Sequence, residues 1–187
     1  MAYFGLSKVI SGGQTGADQG GLLAAHEMFV QTGGTCPLNW HTQTGPNPLL
    51  GALGLVCAGT LRTRTIKNVQ DADATVLLTI SPNSPGSVLT RNSAGREHKP
   101  FLEIDLNTVL AEHGLGDAGA VRRHHIQTAA VSITDFIRAN SITVLNVAGN
   151  RERDLMNLSL TFTVKSILVA SFQQLMLDNL LIRNLNR

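Results

Sequence analysis

Short apolar blocks alternate with polar stretches rich in glycine and proline along the chain, and their spacing switches between strand and helix periods. Residues 8–10 close on Val9 and Ile10 and predict the end of a buried strand. From Ala17 to about residue 28, Leu22, Leu23 and Ala25 fall where a helix would pack on a sheet. Residues 29–36 predict a return through a second short strand, and 37–48, rich in Thr, Asn, Gly and Pro, predict a loop. Residues 49–58 are apolar but broken by glycine, and their pattern assigns no element. A short helix is predicted over 60–69. The run Ala-Thr-Val-Leu-Leu-Thr-Ile at 74–80 predicts a buried strand, followed by a Pro/Ser/Gly loop at 81–86. A helix over 87–97 stops at Lys99-Pro100, and 101–104 predicts another strand. Residues 115–120 predict a loop. Residues 120–139 predict an amphipathic helix with Val131, Ile133, Phe136 and Ile137 as core candidates. A strand at 142–147 and a long helix at 155–181 complete the pattern.

Strands alternating with helices predict an α/β fold with a parallel sheet covered on both faces. Ligands in such sheets sit beyond the strand C-terminal ends. Three glycine-bearing loops, at 11–16, 81–90 and 148–152, fall there. No internal repeat or boundary divides the chain, which predicts one domain over residues 1–187.

The first of these loops, Ser11-Gly-Gly-Gln-Thr-Gly16, runs from a strand into a helix start. Glycines let backbone N–H groups approach a ligand, and the helix end adds partial positive charge, so the stretch predicts an anion cradle. Its spacing is neither that of the dinucleotide fingerprint nor that of a Walker A loop. Asp18 sits in the first turn, where the dipole favours a carboxylate that would repel phosphate; accepting a ribose or base hydrogen bond, or bracing the loop, are its alternatives.

Composition narrows the partners. Net charge is +2 and charged residues make up 15% of the 187, so no electrostatic nucleic-acid footprint is present. Aromatics at 4% leave little for base-stacking platforms. The two cysteines, Cys36 and Cys57, form neither a C-x-x-C pair nor a disulfide framework. The N-terminus carries no signal pattern and no uncharged apolar run approaches spanning length, which predicts a cytoplasmic protein without a membrane partner.

Among the basic residues, Arg151 follows a glycine directly after a strand, where its guanidinium would reach a phosphate or carboxylate; a salt bridge with Glu152 or Asp154 is the alternative. Arg64 divides evenly between ligand contact and helix surface. Ser87 and Thr90 offer hydroxyls that turn formation explains equally well. The histidines make no metal set, since His124 and His125 diverge on a helix. No carboxylate pair suggests acid–base work, and no nucleophile elbow is present.

Several motifs carry a resemblance. Gly12-Gly-Gln-Thr-Gly-Ala-Asp18 resembles the opening motif of the putative molybdenum carrier family, a circularly permuted branch of the Rossmann-like superfamily that includes the cytokinin-activating phosphoribohydrolases. Gly33-Gly-Thr-Cys-Pro37 is similar to that family's Gly-Gly-Trp-Cys-Pro. Arg64-Thr-Ile-Lys-Asn68-Val69 is similar to its Arg-Thr-x-x-Asn-Val, and Gly86-Ser-Val-Leu-Thr90 to its Gly-Thr-x-Leu-Thr. Leu145-Asn146-Val-Ala-Gly149-Asn-Arg151-Glu152 is similar to its Leu-Asn-Val-Ala-Gly-Pro-Arg-Glu. The resemblance implies a Rossmann-like three-layer sandwich with a mostly parallel sheet. With the residues above, it implies a ligand site of Gly12, Gly13, Gln14, Thr15, Gly16, Asp18, Trp40, Arg64, Asn68, Gly86, Ser87, Thr90, Asn146, Gly149, Arg151 and Glu152, with neither a metal ligand nor a catalytic residue.

Two departures shape the expected function. After Cys-Pro the family pattern leads to a charged loop, whereas Leu38-Asn-Trp40-His-Thr-Gln-Thr-Gly45 carries no charge at pH 7. Trp40 there could stack on a base or pterin, or simply pack. The phosphoribohydrolases' Pro-Gly-Gly-x-Gly-Thr-x-x-Glu has its nearest counterpart in Pro85 to Arg91, which lacks the Glu and so weighs against N-glycosidic hydrolysis. The expectation is a non-catalytic binder of a phosphate-bearing, nucleotide-like molecule. It would either sequester or sense a nucleotide-derived signal or carry molybdenum cofactor; the rival is a phosphoribohydrolase or nucleosidase. The apolar residues of 155–182 cover more than one helical stripe, which predicts a homo-oligomer, dimer or tetramer, held through that helix.

Overall fold

The computed structural model describes residues 5–110, 118–152 and 159–185. In chain order the elements are β1 (Lys8–Ser11), α1 (Ala17–Glu27), β2 (Gln31–Cys36), a two-stranded hairpin of β3 (His41–Thr42) and β4 (Gly45–Pro46), and β5 (Leu55–Cys57). Then come α2 (Leu61–Asp71), β6 (Ala74–Thr79), α3 (Pro85–Arg96), β7 (Phe101–Asp105), α4 (Asn107–Leu110), α5 (Ala118–Ala139), β8 (Val144–Gly149) and α6 (Leu160–Leu185). Two 3-10 turns, Leu38–Trp40 and Pro48–Leu53, flank the hairpin.

Six strands form one sheet in the order β5-β2-β1-β8-β6-β7, every neighbour parallel. The expected Rossmann-like α/β sandwich is therefore the observed architecture. Side chains alternate across the sheet. Val9, Val76, Leu78, Leu145 and Val147 point into the main core with α1, α5 and α6, while Asn68 of α2 and Thr90 of α3 share a chamber with Asn146 on the other face. β6 is buried along its whole length, as expected of a central parallel strand, with the hydroxyls of Thr75 and Thr79 hydrogen-bonded to Asn146 and Asn150.

The helices α1 and α6 approach so closely that a Cβ at Gly20 would lie 2.6 Å from the Thr161 carbonyl oxygen and 2.9 Å from Val164 Cβ. Along α6, Leu160, Val164, Ile167, Leu168, Phe172 and Leu175 form a fully buried inward stripe. A second stripe, Phe162, Leu177, Leu180, Leu181 and Leu185, is exposed. The stretch Leu160–Leu181, of mean hydropathy 1.3, is long and apolar enough to cross a membrane by length and composition, but it carries Lys165 and Asp178 and packs its inward stripe in the core, so it is not the uncharged run whose absence was expected.

Local chemistry explains the other differences. α3 starts at Pro85, earlier than expected, because Ser84 caps it by accepting the Ser87 N–H and proline suits the first helical position. α5 already runs from Ala118, inside the loop expected at 115–120, whose residues 115–117 lie outside the described ones. Leu155 and Leu158 of the expected final helix also lie outside them. Val131 is 44% exposed and leaves the core to Ile133 and Ile137. The loop expected at 37–48 contains the hairpin, and the unassigned 49–58 contains β5.

The two stripes of α6 should respond oppositely to truncation. Phe172→Ala should cost about 3–5 kcal/mol in denaturant unfolding, as for a fully buried aromatic. Leu181→Ala, 61% exposed on the single chain, should stay within about 0.5 kcal/mol of the parent when both are measured dilute enough to be single chains.

Candidate functional site

At the C-terminal edge of the sheet the glycine loop is turned inward. The Gln14 N–H donates to Asp18 Oδ2 at 3.2 Å, the Gly16 N–H to Thr161 Oγ1 at 2.9 Å, and the Ala17 N–H to the Asn150 carbonyl at 3.0 Å. Asp18 therefore puts the protein's own carboxylate where an anion was expected. Arg64 Nη1 meets Asp18 Oδ2 at 2.7 Å with both side chains largely buried, so Arg64 is neither a surface residue nor wholly free for a ligand. Burial raises the Asp18 carboxyl above its ordinary value, against the pull of Arg64, the Gln14 N–H and Arg151. The guanidinium lies directly over Gly12, where any Cβ would displace it. Gly13 and Gly16 sit at φ +73° and +85°, and a Cβ at Gly16 would strike the backbone of Asn150 and Arg151. Gly12, Gly13, Gln14 and Gly16 are buried, so the loop is a packed junction. Gln14 and Thr15 spend their side chains on the hairpin: Gln14 Nε2 donates to the His41 carbonyl at 2.7 Å, and Thr15 Oγ1 to Gln43 Oε1 at 3.1 Å.

Beside this junction opens a cavity of about 680 Å³. Arg62, Arg64 and Arg151 border it, with Gln43, Thr65, Ser84 and Gly86 as polar neighbours and Leu61, Pro85 and Leu89 as an apolar wall. It shares Arg64, Thr65, Gly86 and Gly149 with an adjoining polar chamber of about 40 Å³, lined also by Gly12, Asp18, Asn68, Thr90 and Asn146. The expected site residues thus brought together are Gly12, Asp18, Arg64, Asn68, Gly86, Thr90, Asn146, Gly149, Arg151 and Glu152.

Several of these are committed within the protein. Glu152 caps α6, accepting from the Leu160 N–H at 2.6 Å, the Thr161 N–H at 3.0 Å, Thr161 Oγ1 at 2.6 Å and Ser159 Oγ at 3.1 Å. Burial works against its charge, but the bonds from Thr161, Leu160 and Ser159 outweigh it and hold the carboxyl below its usual range. Asn68 clasps the Thr35 backbone on β2, Thr90 donates to the Gly86 carbonyl, and Asn146 Nδ2 donates to Thr75 Oγ1. Ser87 is buried and its hydroxyl donates to the Ser81 carbonyl; Ser87 lines neither cavity. Trp40 also stands outside both. It packs on the Leu22, Cys36, Leu50 and Leu55 cluster, its ring over Gly51.

Asn150, Arg62 and Gln43 escaped the sequence reading. Asn150 Oδ1 accepts from Thr79 Oγ1, the Ile80 N–H and the Ser81 N–H at 2.7, 2.7 and 3.1 Å, and its Nδ2 donates to Ser84 Oγ at 3.3 Å. One side chain thereby fixes the loop leading to the α3 cap. Its signal was the Asn standing where the family motif has Pro. Arg62 and Gln43 carried none, lying outside every motif.

A second cavity, of about 700 Å³, lies at the opposite edge among Ser7, His26, Phe29 and Gln31. It is slightly larger but offers no guanidinium and no loop from a strand C-terminus, so the arginine-lined cavity is the better candidate. Among the described residues no group of three or more His, Cys, Asp or Glu side chains could hold a metal ion.

Residues 9–168 match the family model of the circularly permuted YpsA SLOG family. The chain is also similar to a solved structure titled "Putative molybdenum carrier protein" from Syntrophus aciditrophicus SB, at 30% identity and a TM-score of 0.72, over 89% of this chain and 95% of that one. No curated protein matches.

The Glu152 cap sets a pH dependence. A depressed carboxyl binds fewer protons in the fold than in the unfolded chain, so its stability is present above the ordinary value of 4.5 and is lost as pH falls through the folded value. Glu152→Gln should lower stability at neutral pH by about 1 kcal/mol, the scale of a lost helix cap. That difference from the parent should shrink on acidification, as thermal melts at pH 7 and below 4.5 would record.

Proposed function

The chain belongs to the circularly permuted YpsA SLOG family, and on that premise we propose that its arginine-lined cavity holds a phosphate-bearing, nucleotide-like small molecule without turning it over. The observation that carries this reading is the set of three guanidiniums, Arg62, Arg64 and Arg151, around one cavity beside the start of α3. Guanidiniums grip phosphate in bidentate fashion. The wall of Leu61, Pro85 and Leu89 suits a ring face, and about 680 Å³ lies in the range of small-molecule sites. Absence of turnover is supported by the carboxylates that line the two cavities among the described residues: Asp18 is paired with Arg64, and Glu152 is occupied at the α6 start.

Two ligands fit this chemistry: a nucleotide-derived signal that the protein sequesters or senses, and molybdenum cofactor, a pterin with a phosphate. For the second, the metal would arrive within the cargo, and the arginines would hold its phosphate. The similar structure titled as a molybdenum carrier lends that version support.

Mass spectrometry of small molecules released by heat from purified protein should yield a phosphorylated heterocycle. Arg62→Glu and Arg151→Glu should each weaken its rebinding roughly tenfold or more, the scale of one charge-assisted contact. Nucleoside monophosphates should release no free base beyond background; steady release that disappears in Glu152→Gln would establish the enzyme instead.

We further propose that the chain is a single domain that assembles with copies of itself through the exposed stripe of α6. Leu177, Leu180, Leu181 and Leu185 gather on the last turns of α6; exposed apolar surface of this kind marks interaction sites, and identical copies are the commonest partners. Leu177→Glu with Leu181→Glu should reduce the assembly to the 20.0 kDa chain in light scattering. A parent already at that mass at micromolar concentration would exclude the assembly. Phe172 cannot serve for this test, being core.

A further inference from the structure

Cys36 and Cys57 stand opposite each other on the parallel neighbours β2 and β5. Both belong to the small apolar cluster under Trp40, so their side chains share one face of the sheet. Adjacent strands run about 4.7–4.9 Å apart, inside the window of roughly 4.4–6.8 Å between Cα atoms that a disulfide spans. Cys36 is fully buried and Cys57 half-buried.

Cys57 also holds a strained turn. Its Sγ accepts the Trp40 N–H at 3.4 Å and donates to the Pro37 carbonyl at 3.2 Å. Asn39 and Trp40 are consecutive residues at φ +59° and +56°. A bulky side chain rarely adopts that region, and such strain persists only where the surroundings enforce it. The turn leads straight into the β3–β4 hairpin, whose Gln43 borders the large cavity.

We propose that Cys36 and Cys57 form a reversible intrachain disulfide that releases the turn at residues 37–40. The oxidant class is a peroxide. The Cys57 thiolate attacks one peroxide oxygen, the O–O bond breaks, and hydroxide leaves to take up a proton as water. The sulfur of Cys36 then attacks that of Cys57, the S–O bond breaks, and the oxygen departs as a second water with the Cys36 proton. Two thiols and one hydrogen peroxide thus give one disulfide and two waters; a dithiol reductant reverses the bond by exchange. Attack begins at Cys57 because burial pushes the Cys36 thiol up to about 11 and keeps it protonated. Closing the bond consumes the S–H donor to Pro37 and draws the acceptor of the Trp40 N–H toward Cys36. The inference does not depend on what the cavity binds.

The test treats the whole protein with hydrogen peroxide. Free thiols, titrated after unfolding, should fall from two per chain to none. The intact mass should drop by two hydrogens, and peptide mapping should link Cys36 to Cys57. The emission of Trp40, the single tryptophan, should shift in step, and dithiothreitol should restore both signals. Cys36→Ser should gain oxygen at Cys57 without cross-linking, with no such restored link on reduction and reoxidation. Oxygen added to Cys57 in the parent with the two cysteines unlinked would overturn the disulfide. A mapped link with unchanged Trp40 emission would overturn the release of the turn.

Discussion

The edge of the sheet where the loops meet depends on one buried ion pair. Arg64, from the first turn of α2, crosses the bare backbone of Gly12 to reach Asp18 in the first turn of α1. Removing one partner of such a pair leaves an uncompensated buried charge and typically costs about 3–5 kcal/mol. The pair needs glycine at position 12, because any side chain there would occupy the guanidinium's place. One contact therefore fixes the entry to α1, the pose of α2 and the floor shared by both cavities.

The other loops are fastened to this point by polar relays. Gly16 donates to Thr161, and Thr161 donates to Glu152, which ties the glycine loop to the start of α6 through the segment after β8. The Asn150 carbonyl accepts from Ala17 while its side chain gathers Thr79, Ile80, Ser81 and Ser84. Three loops that are far apart in sequence thus hold each other, so their shape is a property of the assembled edge and of no single segment.

That division explains what could be read from the sequence. The order of strands and helices was legible because burial imposes a pattern: β6 is a short, mostly apolar and β-branched run, and α1 and α5 carry their inward residues at helical spacing. The meeting of the loops that line the candidate site was legible because glycine loops after parallel strands share one edge. The work of each residue was not. Nothing local to Asp18 indicates that its partner lies 46 residues away, and the same carboxylate could have faced a ribose. Glu152 carries a motif position but acts as a helix cap through residues well past that motif. Trp40 sat in a loop without charge, and only the tertiary cluster of Leu22, Leu50 and Leu55 assigns it to packing. The apolar residues of α6 showed two stripes but not which of them faces the core.

Among the described residues, α1, α2, α3 and α6 begin beside the candidate site, and their ends are closed differently. α1 carries Asp18 in its first turn and α6 is met by Glu152, so each of these positive ends faces a carboxylate of the protein itself. α2 and α3 are closed only by the hydroxyls of Thr60 and Ser84, which satisfy a donor without cancelling its field. The large cavity is lined by the first turns of that second pair. The large cavity therefore faces two positive helix ends, of α2 and α3, that no carboxylate of their own first turns offsets. That field is confined to about the first turn of each helix and weakens as salt is added.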